Sequence, residues 1–330
     1  METALDKVKL VIRILIGGLF IFTAVLKIIS IDYFTVYIYS FNIFSYALSA
    51  LVARAVIAAE FVLGCMLIAK IFYKQAWWLT LAMLVGFTLL LIYTAIFRND
   101  TNCHCFGELI ELDPVSSILK NIVTIGLMLF VRKEEDYGFH WWKIVFGVIL
   151  ACGLIVPFCA FPPDSIYSIF HKEESSLNKN LFEKSLQDSS LMTTLQDVRR
   201  LPENDSVVFS KNTMPLTLSD DKYIIAMLSS GCPHCKLSMK KANTIFKNND
   251  IDYKHLKILI WGNENSISRF LKETESDKFE THIIHPILAI DLVNGEFPTF
   301  IFVDHGQVTG VYNARKLTDN IIGDFFTEKN

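Results

Sequence analysis

The sequence predicts two unlike parts: a membrane α-helical bundle of about five transmembrane helices, followed by an α/β domain. Three observations support this division. Five long apolar segments lie before residue 162. A polar stretch then separates them from the remainder of the chain. Within that remainder, a Cys-x-x-Cys motif lies between a short apolar run and a segment with helical spacing of apolar residues. The predicted domains are therefore 1–161 and 206–330, joined by an extracytoplasmic linker over 162–205.

The composition also favours a membrane protein over a single soluble enzyme. Hydrophobic residues make up 52% of the chain, and the formal net charge of −3 argues against a nucleic-acid partner. A helix needs about 20 apolar residues to cross a bilayer, and each of the five segments meets or approaches this length. The predicted spans are Val8–Ile29, Ala47–Phe72, Ala76–Phe97, Val115–Val131 and Trp142–Phe161.

Basic residues in short loops predict the orientation, because they are retained on the cytoplasmic side. One set of alternate loops carries Lys7, Lys9, Lys70, Lys74, Arg132, Lys133 and Lys143. The opposite loops carry Asp32, Asp100, Glu108, Glu111 and Asp113 against Arg98. The N-terminus is therefore predicted to be cytoplasmic, in a bacterial-type inner membrane. With five spans, the C-terminal domain is predicted to be periplasmic, outside the membrane.

The stretch 229–236, Ser-Ser-Gly-Cys-Pro-His-Cys-Lys, contains the clearest chemical motif. It follows the apolar run 223–228 and precedes a helix predicted over 237–248. At a helix N-terminus, backbone N–H groups and the helix dipole favour a thiolate over a thiol. Cys232 is therefore the predicted nucleophile and Cys235 the more buried resolving thiol. Pro233 suits the first helical turn, and His234 adds a donor or a positive charge. A zinc half-site or a structural disulfide are the alternatives.

Downstream residues carry a resemblance to a known fold. Gly295-Glu296-Phe297-Pro298 precedes the apolar strand 299–303, and the turn 304–307 leads into a second strand over 308–312. With the Cys-x-x-Cys, this order resembles the thioredoxin superfamily from about residue 206 onwards. The resemblance implies that Pro298 is cis, faces the two cysteines and lines the site where an extended substrate docks. The Pro-His dipeptide between the cysteines is similar to that of periplasmic DsbA oxidants.

A second cysteine pair lies in the predicted outer loop between the third and fourth spans. Cys103 and Cys105 flank His104 in the stretch 101–107. Two thiols one residue apart can form only a small, strained disulfide ring, and strain makes such a bond easier to exchange. The alternatives are a metal-binding Cys-His-Cys and two inert thiols. Redox exchange is the favoured role for Cys103 and Cys105, and no metal is predicted there.

The first half also resembles a known family. The motif order is Arg13-Ile14-Leu15-Ile16-Gly17-Gly18-Leu19-Phe20 with Ala24 and Lys27, then Glu60-Phe61-Val62-Leu63-Gly64, then Cys103-His104-Cys105-Phe106-Gly107. This order resembles the DoxX-like membrane family, and more narrowly its MauE branch, over roughly residues 5–160. That branch is associated with maturing a disulfide-rich subunit of methylamine dehydrogenase. His104 stands where the family often has glycine.

Other polar and sulfur-containing residues lie inside the predicted spans. An ionised Glu60 within a bilayer costs at least about 2.5 kcal/mol, so it is expected to face the bundle interior, with Lys27 or Lys120 as candidate partners. An intrahelical pair with Arg54 is a poor geometric match. A structural role and proton handling both remain open for Glu60. Cys65 and Cys152 are interpreted as small buried side chains, and Cys159 lies near the outer end of its span.

Two cysteine pairs facing one compartment predict a membrane-anchored thiol–disulfide oxidoreductase. It would exchange electrons between Cys232/Cys235 and Cys103/Cys105, for disulfide formation in exported cysteine-containing proteins. A relay carrying reducing power outward, and a non-catalytic assembly factor, are the alternatives. The combination of a membrane domain and a thioredoxin-like domain is analogous to fusions of vitamin K epoxide reductase with thioredoxin domains. In those fusions a quinone is the electron acceptor. No quinone motif can be read in this sequence, so the terminal acceptor stays open, with a quinone as one candidate.

Overall fold

The structure is a computed structural model that describes residues 4–98, 112–132, 141–164, 166–167, 176–187, 196–201, 206–209 and 218–327. The chain divides into two compact units, Met1–Pro163 and Asp164–Asn330. Each unit is described below by itself. The first is helical, and the second is built on a mixed β-sheet.

The first unit contains six described helices. They are α1 (Ala4–Ile29), α2 (Ile31–Tyr39), α3 (Tyr46–Ala69), α4 (Tyr73–Tyr93), α5 (Pro114–Phe130) and α6 (Trp142–Ile155). A π-helical turn extends α4 to Arg98, and another extends α6 to Ala160. Within the described residues, α1, α3, extended α4 and extended α6 are long and apolar enough to cross a membrane, and α5 is a shorter apolar helix. These helices correspond to the five predicted spans.

Helix α2 was not predicted from the sequence. It is only nine residues long, too short to cross a bilayer, so it gives no spanning signal. Its side chains Phe34 and Tyr37 are buried against Ala53 and Ile57 of α3. Packing against α3, rather than insertion into lipid, accounts for this helix.

Helices α1 and α3 cross closely because each has a glycine at the contact. A Cβ atom added at Gly17 would lie 2.7 Å from the carbonyl oxygen of Gly64, and one added at Gly64 would lie 2.7 Å from the oxygen of Gly17. Small residues let helix backbones approach in this way, and dispersion contacts then hold the pair together inside a bilayer. Both glycines belong to the motifs that carry the family resemblance.

Side-chain hydrogen bonds to backbone carbonyls also join the helices. Tyr73 donates its hydroxyl to the Val131 oxygen at 2.8 Å, and Trp77 donates its indole N–H to the Met128 oxygen at 2.7 Å. The buried Arg54 donates Nε and Nη2 to the Phe161 oxygen, at 2.9 and 2.7 Å. These donors satisfy carbonyl groups at helix ends, where lipid offers no partner. Arg54 therefore bonds away from Glu60, as its spacing indicated.

The second unit is a seven-stranded sheet flanked by helices. Its described strands are β1 (Gln196–Leu201), β2 (Ser206–Phe209), β3 (Lys222–Ser229), β4 (Leu256–Trp261), β5 (Glu280–Ile283), β6 (Thr299–Asp304) and β7 (Gln307–Asn313). Its described helices are α7 (Lys179–Gln187), α8 (Pro233–Asn248), α9 (Glu264–Glu273), α10 (Pro286–Val293) and α11 (Asp319–Thr327), with a 3₁₀ turn at Tyr253–His255.

The strand order is β2-β1-β5-β4-β3-β6-β7. Strands β3, β4 and β5 are mutually parallel, whereas β6 pairs antiparallel with β3 and β7 antiparallel with β6. The central strand β3 is buried along residues 223–228, which accounts for its unbroken apolar run. The five adjacent strands β5, β4, β3, β6 and β7, with their helices, form the predicted thioredoxin-like domain.

The predicted linker over 162–205 is wrong as a description of the whole stretch. Phe182 of α7 is buried in the core of the second unit, and the Asn178 N–H donates to the Leu292 oxygen at 2.9 Å. Lys241 of α8 forms a buried ion pair with Asp164 at 3.0 Å. The low hydrophobicity of the stretch concealed these few anchoring contacts. Residues 196–201 of this stretch form β1, which pairs with β5.

Replacing Gly64 with valine is expected to destabilise the first unit. The added side chain would overlap the Gly17 backbone, and overpacking of this kind costs about 1–3 kcal/mol or more. Gly86 on α4 provides the control, because a Cβ added there meets nothing within 4 Å. Thermal unfolding in detergent should show a lower midpoint for Gly64→Val than for Gly86→Val. Equal midpoints would contradict the close crossing.

Candidate active site

Cys232 occupies the N-cap position of α8, immediately after β3. Its backbone is extended, and Pro233 takes the first helical position, where a missing N–H leaves no hydrogen bond unmade. The Cys235 N–H donates to the Cys232 Sγ atom at 3.3 Å, so the sulfur takes the role of a capping oxygen. The loop is held by a hydrogen bond from the Cys232 N–H to the Ser229 oxygen at 3.1 Å.

This position makes Cys232 acidic. The hydrogen bond from the Cys235 thiol lowers its pKa most, and the backbone N–H groups of Cys235 and His234 and the nearby His234 side chain lower it further. Partial burial opposes them, and the resulting pKa of Cys232 is about 6. The sulfur is half-buried, so it remains accessible to a partner. A thiolate at neutral pH is the form that attacks disulfides.

Cys235 differs from Cys232 although it is only three residues away. It has no exposed surface, and its Sγ accepts the Ser229 N–H at 3.5 Å. Its hydrogen bond to the Cys232 sulfur and its burial raise the pKa of Cys235. Thus one sulfur is ionised and accessible, and the other is a protonated donor behind it. The two cysteines are free thiols here.

Pro298 lies at the same edge of the sheet as the cysteines. Met227 pairs with Thr299 in the antiparallel β3–β6 register, so Pro298 stands opposite the C-terminal end of β3, from which the chain enters the Cys232 loop. The Phe297–Pro298 peptide bond is cis, as the resemblance implied. Pro233 and His234 are exposed beside the sulfurs. The role of Pro298 in substrate docking stays a prediction.

The structure adds residues that sequence reasoning missed. The Ser230 N–H donates to the Trp261 oxygen at 3.1 Å, and the Ser230 and Ser266 hydroxyls are 2.7 Å apart. Gly262 lies between these contacts, and a Cβ there would overlap Ser230 Oγ. The loop after β4 therefore supports the loop that carries Cys232. Trp261 also packs against Phe297, with ring centroids 6.2 Å apart. The Trp-Gly dipeptide at the end of an apolar run was the available signal.

The second cysteine pair lies outside the described residues. Cys103, His104 and Cys105 fall in the range 99–111, so their predicted exchange role stays a prediction. Among the residues that are described, no three His, Cys, Asp or Glu side chains cluster closely enough to hold a metal ion.

Glu60 lies inside the first unit and binds Lys27, one of its two candidate partners. The Lys27 ammonium donates to both carboxylate oxygens of Glu60, at 2.6 and 2.8 Å, and both residues are 3% exposed. The remaining cysteines are free thiols: Cys65 is half-buried, whereas Cys152 and Cys159 are exposed on the helix surface. The interpretation of Cys152 as a buried side chain is therefore wrong, because the residue is exposed on the surface of α6.

Fold and site together define a class: a membrane-helical protein with a thioredoxin-like domain that bears an acidic cysteine at a helix N-terminus. Residues 5–132 match the family model of the methylamine utilisation protein MauE. The N-terminal region thus carries a MauE-type domain, as its motifs indicated. The match ends within the first unit, so it does not extend to the thioredoxin-like domain.

A curated relative matches both units. Protein TlpB of Flavobacterium psychrophilum is 24% identical over 349 residues, covering 94% of this chain and 91% of that protein. The alignment therefore covers both the membrane helices and the thioredoxin-like domain of this chain.

Alkylation of reduced protein by iodoacetamide should modify Cys232 well before Cys235. With a pKa of about 6 for Cys232, the rate should be near its plateau at pH 7 and fall about tenfold per pH unit well below pH 6. A free cysteine, with a pKa of about 8.5, would be only about 3% ionised at pH 7. Mass spectrometry of the labelled peptide measures both sites. Faster labelling of Cys235, or a midpoint near 8.5, would contradict the assignment.

Proposed function

We propose that the chain is a membrane-anchored thiol–disulfide oxidoreductase that oxidises exported cysteine-containing proteins. The observation that carries this proposal is the asymmetry of its two thiols, an accessible acidic Cys232 in front of a buried Cys235. A sulfur with a low pKa is a good leaving group, so a disulfide made from it is readily broken by an incoming thiolate. This property favours the oxidising direction.

The reaction is a balanced exchange. A client thiolate attacks Cys232 in the Cys232–Cys235 disulfide, forming a mixed disulfide and releasing Cys235. The second client thiolate then displaces Cys232, which leaves the client oxidised and the pair reduced. In the reverse half of the cycle, the Cys232 thiolate attacks a Cys103–Cys105 disulfide, and Cys235 resolves the product. Each exchange moves two electrons, first from the client to Cys232/Cys235 and then to Cys103/Cys105. The cycle therefore ends with Cys103 and Cys105 as thiols, and a two-electron acceptor, for which a quinone is the candidate, must reoxidise them before the next turnover.

The proposed location is a cytoplasmic-type inner membrane, with the N-terminus inside and the thioredoxin-like domain outside. Support comes from the distribution of basic residues and from the apolar helices within the described residues, four long enough to cross a membrane and a fifth, α5, that is shorter. On the outside both cysteine pairs would be in an oxidising compartment, where disulfides persist. One chain carries both pairs, so their encounter is intramolecular, with an effective concentration in about the millimolar range for a flexible connection.

The topology is tested with single cysteines introduced into a variant that lacks the seven native ones. Lys74→Cys and Asn320→Cys suit this purpose, because both positions are exposed. The cells are treated so that the outer membrane is permeable and the inner membrane stays intact. A maleimide that cannot cross the inner membrane should then label Asn320→Cys. It should label Lys74→Cys only after the inner membrane is permeabilised. The opposite pattern would place the acidic thiol in a reducing compartment and exclude the proposed role.

The exchange itself is tested by replacing both Cys103 and Cys105 with serine. Acid-quenched thiol trapping in cells should then find Cys232 and Cys235 largely reduced, because their oxidant has been removed. The matched control is Cys65→Ser with Cys152→Ser, which should leave the redox state as in the unaltered chain. An unchanged redox state after loss of Cys103 and Cys105, or a change in the control, would contradict the relay.

A further inference from the structure

The first unit encloses a cavity of about 240 Å³ between α1, α2, α3, α4 and α5. All of its lining residues belong to this unit. Its volume is slightly below the about 300–1,000 Å³ of pockets that take a whole drug-sized ligand. It is large enough for a ring-sized headgroup, whereas a long tail would have to lie outside.

One side of the cavity is polar and deeply buried. The Lys27–Glu60 pair lines it, together with Lys120 and Asn121 of α5. Asn121 is 2% exposed. Ammonium and amide groups are hydrogen-bond donors, and a paired Lys27 still has an N–H to offer beyond the two that Glu60 accepts. In a region that excludes water, such donors favour a ligand with carbonyl oxygens.

The other walls are aromatic and apolar. Phe34 and Phe87 both line the cavity, and Lys27 Nζ lies 5.6 Å from the centre of each ring. Ile43 and Leu90, which also line it, are 71% and 36% exposed. On a bundle surrounded by lipid, these exposed apolar side chains mark an opening toward the hydrocarbon. Flat walls, a polar end and an opening of this kind suit a planar lipophilic ring with a tail.

We propose that this cavity binds the headgroup of a quinone, with its carbonyl oxygens at the Lys27 and Asn121 end and its tail passing Leu90 into the bilayer. The inference rests on the proposed function, in which the reduced Cys103/Cys105 pair needs an electron acceptor. Oxidation of two thiols to a disulfide releases two electrons and two protons. A quinone takes up both pairs to become a quinol, so the cycle closes without another reagent.

The chain connects this cavity to the second cysteine pair. Phe41 and Tyr37 line the cavity, and the Arg98 guanidinium stacks on Phe41 with its carbon 4.5 Å from the ring centre. Arg98 also donates to the Ser40 hydroxyl at 2.9 Å. Cys103 follows Arg98 by five residues, so the covalent chain limits the distance between their Cα atoms to about 18 Å. The cavity wall and the Cys-His-Cys stretch are thus close neighbours along the chain.

Binding is tested on the full chain in lipid nanodiscs, with decylubiquinone as the probe. Leu90→Trp should fill the cavity and weaken binding at least about tenfold. Leu89→Trp is the matched control, because Leu89 is 62% exposed and does not line the cavity. Val56→Trp, from α3, serves as a second filling variant if Leu90→Trp fails to fold. Decylbenzene, with the same tail but no carbonyl groups, should not compete.

Loss of binding in the filling variant, retention in Leu89→Trp and no competition by decylbenzene would support the site. Absence of saturable binding, equal binding by both variants, or competition by decylbenzene would overturn it. A separate measurement distinguishes this failure from that of the proposed function. Exchange of Cys232 and Cys235 with oxidised glutathione would persist if only the quinone inference were wrong. Conversely, quinone could be found to oxidise Cys232 and Cys235 equally fast when Cys103 and Cys105 are replaced by serine. That result would contradict the proposed exchange between the cysteine pairs but not the quinone site.

Discussion

The membrane half depends on the contact between its first and third helices. Gly17 and Gly64 bring the two backbones together, and the Lys27–Glu60 pair joins the same helices farther along. Neither charge could be buried alone at acceptable cost, so each residue requires the other. The pair also lines the polar end of the cavity. The same two residues therefore join the helices and provide charged groups in a cavity whose other walls are mostly apolar. Two of the family-like motifs of the first half, which contain Gly17 with Lys27 and Glu60 with Gly64, meet at this contact.

In the thioredoxin-like domain, the beginning of one helix controls the chemistry. The Cys232 sulfur caps the N-terminus of helix α8, and the N–H groups there and the Cys235 thiol stabilise its negative charge. Cys235, three residues farther along the helix, lies in the core, where its hydrogen bond to the Cys232 sulfur and its burial keep it protonated. Two identical side chains thus differ in reactivity because of their positions on the helix, their burial and the hydrogen bond between them. The Trp261–Gly262 loop and the cis Pro298 segment complete the surroundings, each from a different strand end.

The proposed oxidative cycle would use both halves of the chain. In that proposal the thioredoxin-like domain supplies a nucleophile and leaving group for protein thiols, and the membrane half supplies a cavity with buried donors. Thiol exchange conserves electrons, so any net oxidation of clients needs an acceptor beyond the cysteines. A lipid-soluble acceptor is suited to a bilayer, whereas water-soluble acceptors would need a second binding surface. Electron balance thus links the proposed exchange to the proposed quinone site, and neither depends on the geometry of the other.

The sequence by itself determined the local features: the apolar spans, the strand before Cys232, the helix after it and the proline before β6. Each depends on residues close together in the chain, and so on periodicity and turn chemistry. It also named Lys27 and Lys120 as candidate partners for Glu60, because an ion in a bilayer must be paired, and the structure selected Lys27. Only the tertiary structure showed the buried helix α2, the strand β1 within the supposed linker, the strand β2 just after it, and the packing of Phe182. It alone showed the exposed Cys152, the support of Ser230 by Gly262 and Ser266, and the cavity. These features arise between segments distant in sequence, where packing and burial decide the outcome and no local pattern records them.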